Sequence, residues 1–241
     1  MCKIDVLCKN LNFQEFCMKK ILFSLTVFLT FPLCAQQSSR AEYMTKDYAY
    51  LYGMPGFSEG LLKLHFQLYQ GYVKNTNLLL ARLKELELQD KEQSYDYGAL
   101  KRRLGWEWDG MRLHEFYFDN LGGHEPLDKS TALFQRIVKD FGSYEAWKKS
   151  FIGTGLIRGI GWVILYRDPQ SGRLINVWIN EHDLGHLAGG APLLVMDVFE
   201  HAYITQYGLD RAKYISAFFD NIEWAKVAKR YNDVVAKDTI Q

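Results

Sequence analysis

Between residues 57 and 89, Leu61, Leu64, Leu68, Tyr72, Leu79 and Leu83 recur three, four or seven positions apart. That period belongs to one face of an α-helix. Ser58 precedes the run as a cap. A polar break over residues 89–94 follows, and a second helical pattern ends near Asn120, so the pair reads as an antiparallel α-hairpin. Leu121, Gly122, Gly123 and Pro126 then mark a boundary.

Beyond it the texture changes. Helices are predicted at 128–140 and 143–152. Residues 161–167 and 173–180 are rich in Trp, Val, Ile and Tyr, and Asp168, Pro169, Gln170, Ser171 and Gly172 between them predict a hairpin turn. Residues 193–198 form a third apolar strand, and 199–207 and 210–234 read as helices. The fold class is therefore α+β, an N-terminal α-hairpin (36–122) followed by a C-terminal unit with a three-stranded antiparallel sheet (123–241). Residues 36–55, polar and Tyr-rich, form an extended lead-in.

The first 35 residues have another character. Met18, Lys19 and Lys20 open an almost wholly apolar run, residues 21–33, that reaches Cys34 and Ala35. A basic start, a short apolar stretch and a small residue before the cut make a secretory signal. Thirteen apolar residues are too few for a membrane span, which needs about 20. Residues 1–17 read as an upstream extension, and cleavage after Ala35 releases a secreted or periplasmic protein. Lipid attachment at Cys34 is the alternative, disfavoured by bulky Leu33 before it.

Composition narrows the chemistry. Cys2, Cys8, Cys17 and Cys34 all precede residue 35, which excludes a thiolate metal site, a cysteine nucleophile or a disulfide framework in the body. With 29 basic and 28 acidic residues, nothing favours nucleic acid or an anionic membrane. Six histidines remain: His65, His114, His124, His182, His186 and His201. Asp197 and His201 lie four residues apart where a strand passes into a helix, a spacing that can bring carboxylate and imidazole to one point. With two further imidazoles they would form a site suited to manganese, iron or zinc.

The segment from Pro192 to Tyr203, Pro-Leu-Leu-Val-Met-Asp-Val-Phe-Glu-His-Ala-Tyr, resembles the Asp-x-Trp-Glu-His-Ala-Tyr signature of iron/manganese superoxide dismutases, with Phe199 in the Trp position. Likeness extends over most of residues 45–234. It includes Phe141 to Glu145, Gly161-Trp162, and the run from Ala225 to Tyr231. His114, before Glu115, Phe116 and Tyr117, matches the family's second metal ligand, and His65 matches the first. The resemblance implies one iron or manganese ion held by His65, His114, Asp197 and His201, and Tyr72 as the gateway tyrosine. It implies a redox cycle in which one superoxide leaves as oxygen and the next as hydrogen peroxide, and a homodimer bridged through Glu200. A secreted non-catalytic or metal-sequestering relative of the same fold is the alternative.

Departures from the pattern refine these expectations. Tyr72 follows His65 by seven residues where the family has eight. Either relatives carry a π-bulge that this chain lacks, or the ligand position is Leu64; the first keeps four ligands and is preferred. Phe66, Tyr69 and Gln70 stand where histidines are common, and Ile204 replaces a tyrosine, which predicts an altered channel mouth and dimer interface. The glutamine that usually bonds the metal's solvent comes from one of two places. Gly110 leaves the first empty, and the second holds His182, similar to some archaeal iron enzymes of the family that have a further histidine at the place of His186. His182 is therefore assigned as the solvent's partner, and with Val195 it favours iron or dual-metal use. His124, Trp106, Trp108, Trp147, Trp178 and Trp224 are assigned to packing or surface, and Arg102, Arg103 and Arg211 mostly to the solvated face.

Overall fold

The computed structural model describes residues 42–238; the signal and cysteine expectations lie outside them. Helix α1 spans Glu59–Glu87 and α2 Tyr95–Asp119. Ser58 and Ser94 start them by accepting hydrogen bonds from the amides of Leu61 and Tyr97, so each satisfies one of the donors a helix start leaves unpaired. Helices α3 (Ala132–Phe141) and α4 (Tyr144–Gly155) carry the same device in Thr131 and Ser143. The first begins four residues later than predicted, because Asp128 through Thr131 fold into a hydrogen-bonded turn around the Asp128 carboxylate and carbonyl.

Three strands follow: β1 (Gly161–Arg167), β2 (Leu174–Asn180) and β3 (Ala191–Asp197). All pairings are antiparallel, in the order β2-β1-β3. The central strand is buried at every position, which is why it reads as an unbroken apolar run rather than an alternating one. The edge strand β3 starts earlier than predicted and includes Pro192, which lacks an amide proton. The register shifts beside it, between Leu165 and Tyr166, as expected for proline at an edge.

The predicted helix over 199–207 divides into a tight 3-10 turn, Glu200–Ala202, and α5 (Ile204–Tyr207). The one over 210–234 divides into α6 (Arg211–Asp220) and α7 (Trp224–Asp238). Tertiary pairing breaks the second. The Asn221 carbonyl accepts from Gly122 and Gly123, and the Glu223 amide donates to the Asn120 carbonyl at 2.6 Å. Gly123 permits this approach, since a Cβ there would stand 2.5 Å from the Glu223 Cα. Both halves feed one buried cluster, in which Leu62, Met111 and Phe118 of the hairpin join Trp162, Val195 and Phe218.

Candidate metal centre

Four elements converge where the hairpin meets the end of the sheet. Helix α1 brings His65, α2 brings His114, the last residue of β3 is Asp197, and the following 3-10 turn supplies His201. Asp197 Oδ2 lies 3.1 Å from Nε2 of both His65 and His201, and 3.7 Å from Nε2 of His114. One ligand atom from each of the four falls within 4.8 Å of the others. Asp197 Oδ1 is held separately, accepting the Phe199 amide at 2.8 Å. The Asp197 carbonyl accepts from the Tyr214 hydroxyl at 2.7 Å, so backbone and side chain are both fixed.

The protonation pattern suits a cation. His114 Nδ1 faces the Gly110 carbonyl at 2.5 Å, and a carbonyl only accepts, so the proton sits on Nδ1. That leaves Nε2 of His114 a buried lone pair with no hydrogen-bond partner, aimed at the cluster. Burial lowers the titration of His65 and drives that of His114 well below the usual range. Burial alone would raise the Asp197 carboxyl. Its contacts with His201 and His65 hold it below the ordinary carboxylate range instead. Neutral imidazoles around one carboxylate are the donor set that a divalent or trivalent first-row metal takes, and they fit iron or manganese.

Of the two positions the short His65–Tyr72 spacing leaves open, the geometry turns His65 rather than Leu64 toward the cluster. Helix α1 is regular throughout, and seven residues at about 100° each fall only about 20° short of two turns. His65 therefore points into the cluster and Tyr72 beside it, while Leu64 is 53% exposed. The Tyr72 ring stacks on His114, centroids 5.2 Å apart, and its hydroxyl lies 2.6 Å from Nε2 of His182. Gly110 makes room: a Cβ there would meet the Tyr72 ring at 2.6 Å. The position that lacks a glutamine is thus occupied by the Tyr72 ring.

His182 is fully buried in the loop after β2. Its Nδ1 accepts from the Trp162 indole at 3.1 Å. Indole nitrogen only donates, so the neutral ring carries its proton on Nε2 and gives it to the Tyr72 oxygen. Burial holds the imidazole neutral, its titration lowered to about 4. Phe199 stacks on His182 on one side and His201 on the other, at 4.6 and 5.0 Å.

Trp106, assigned to packing or surface, and Trp162, part of the family likeness, both meet His182. Trp106 packs edge-on to the His182 ring at 4.7 Å, and Trp162 sets its tautomer. Their meeting at His182 is not marked in sequence, because the contact joins α2, β1 and a loop. Of the residues read as lost family histidines, Phe66 is core and Tyr69 donates to Glu115 Oε1 at 3.1 Å. Ile204 is exposed, as is Glu200.

Comparison with known proteins agrees with this geometry. Residues 129–230 match the family model described as iron/manganese superoxide dismutases, C-terminal domain. The superoxide dismutase [Fe] of Cupriavidus metallidurans is 41% identical over 182 residues, covering 74% of this chain and 90% of the relative. The superoxide dismutase [Mn] 2 of Haloferax volcanii is 39% identical over 185 residues, 75% of this chain and 90% of the relative. The superoxide dismutase [Fe] of Sulfolobus acidocaldarius is 32% identical over 191 residues, 76% and 89%. By its sequence over three quarters of its length, and by the histidines and aspartate that its fold gathers, this chain belongs to the iron/manganese superoxide dismutase family.

Proposed function

We propose that this chain converts superoxide to oxygen and hydrogen peroxide at one iron or manganese ion held by His65, His114, Asp197 and His201, with Tyr72 and His182 as the catalytic pair beside it. The observation that carries this reading is the buried, unpartnered Nε2 of His114 facing Asp197, His65 and His201. The bound metal supplies a one-electron couple that the protein's own side chains lack.

The chain supplies geometry and a proton. With Nε2–H of His182 donating to the Tyr72 oxygen, the Tyr72 hydroxyl proton is turned away from His182 and free to be given to a peroxide leaving the site. Burial, with the Asp197 and Glu107 charges adding to it, raises the Tyr72 phenol, so that proton stays on at neutral pH. Phe199, Trp162 and Trp106 pack around the His182 ring beside the centre. Relatives of both metal names lie at similar identity, which supports iron or dual-metal use together with His182 and Val195.

In this reading the mature protein starts after Ala35, outside the cytoplasm, and pairs as a homodimer through Glu200. The exposed Glu200 and the 27% exposed His201 side chain support an interface there, and no described helix is long and apolar enough to cross a membrane. N-terminal sequencing of the secreted protein and its sedimentation mass test these two points; a retained leader or a monomer contradicts them. The activity is tested by xanthine oxidase–cytochrome competition. Metal-loaded protein is expected to block cytochrome reduction and the metal-free form is not; equal, negligible inhibition by both overturns the reading.

A further inference from the structure

Beside the centre lies a second group of titratable side chains that the proposed chemistry does not use. His186 Nε2 stands 2.8 Å from the His182 carbonyl, and Nδ1 stands 2.7 Å from the Tyr166 hydroxyl. A carbonyl only accepts, so Nε2 of His186 carries the proton and donates it. In the neutral ring Nδ1 then accepts from Tyr166, a residue of β1. Asp109 of α2 faces the same ring, Oδ2 at 3.6 Å from Nε2, and its carboxyl is raised by burial first and by Asp183.

Apart from the His182 side chain's own bonds to Trp162 and Tyr72, the loop that carries it has backbone ties near its start and end. Asn180 and Leu184 exchange backbone hydrogen bonds of 2.8 and 3.3 Å, and the Glu181 amide reaches the Ile160 carbonyl. Glu181 takes φ 54°, a left-handed conformation uncommon for a side chain larger than glycine, so the turn is held rather than relaxed. Among the described contacts, the His182 carbonyl is fixed by His186 alone.

We infer that His186 is a positioning residue, held by Tyr166 and lying beside Asp109, that fixes the backbone of His182 and thereby the angle at which its ring meets Tyr72 and Trp162. The inference rests on the reading of His182 as part of the catalytic pair. It extends that reading from β1 and α2 into the loop: three elements would jointly set one hydrogen bond of 2.6 Å.

The test is long-range proton–nitrogen NMR of the histidine rings in the metal-free protein, with activity of the metal-loaded form as a second readout. Wild type is expected to show His182 as a single tautomer protonated on Nε2. His186→Leu, which removes donor and acceptor, is expected to mix the His182 tautomers and lower activity about tenfold at equal metal content. His186→Gln, which keeps both functions, is expected to restore the single tautomer. Tyr166→Phe keeps the packing and removes only the hydroxyl, so it gives the same change more weakly even if the Leu variant does not fold. Unchanged His182 signals in the Leu variant, or in Tyr166→Phe should the former fail to fold, overturn the inference. His182→Ala separates the two readings: wild-type activity there sinks the catalytic role of His182 without touching what the tautomer signals say of His186.

Discussion

The Tyr72 hydroxyl lies 2.6 Å from Nε2 of His182, with the Tyr72 ring in the space that the missing side chain of Gly110 leaves open. These two residues come from α1 and from the loop after β2, 110 positions apart. Their contact joins the hairpin to the sheet within reach of the metal ligands, and its polarity follows from the indole on the far side of His182. Replacing His182 with alanine is expected to lower activity by roughly 10–100-fold while the protein still binds one ion per chain. Metal analysis alongside the rate separates this outcome from simple loss of the metal. An unchanged rate refutes the role.

Gly110 yields a separate prediction. The Cβ of Gly110→Ala would stand 2.6 Å from the Tyr72 ring, well inside van der Waals contact. The ring must move, and such overpacking destabilises by about 1–3 kcal/mol. A lower thermal midpoint with reduced activity is expected, and a variant that keeps both shows that the ring has room to spare.

Asn120 holds the two halves together at the back of the site. Its buried side chain donates to the Val195 carbonyl at 2.7 Å and accepts from the part-buried Arg230 at 2.8 Å. Asn120→Ala would leave a buried carbonyl unpaired and remove a partner of a largely buried guanidinium. A loss of roughly 1–3 kcal/mol in chemical denaturation is expected. A loss near zero would mean that water replaces the amide.

The metal-free protein is expected to be acid-labile over a defined window. His182 titrates near 4 when folded, against 6.5 for the ordinary imidazole, because burial disfavours the charged ring. Between those values the unfolded chain holds a proton that the folded chain lacks, so stability is full above about 6.5 and falls as the pH drops toward 4. His65 and His114, lowered mainly by burial, act in the same direction, while Asp197 stays ionised in both states over most of that window. His182 alone contributes on the order of 3 kcal/mol. Urea midpoints at pH 7 and pH 4.5 check this: a lower midpoint at pH 4.5, with a smaller difference in His182→Gln, is the expected result.

Much of the centre was readable because its signals are local. Asp197 and His201 sit in one short segment, and the first hairpin helix announces itself by its period and by Ser58. The His65 spacing could be resolved only once α1 proved an uninterrupted α-helix, since a seven-residue step keeps one face on a regular helix. The split of the predicted 210–234 helix was hidden, because Asn221 and Glu223 pair with residues about a hundred positions earlier. The supporting roles of Trp106, Trp162 and Tyr166 were hidden for the same reason: each acts on a histidine brought to it by the fold.

The central claim is tested most directly by following superoxide decay and peroxide formation with protein loaded to one iron, or one manganese, per chain. Decay far faster than the spontaneous reaction is predicted, with one peroxide for every two superoxide consumed and no such rate in His114→Ala. Full loading with each metal in turn, and decay no faster than without protein, would contradict it.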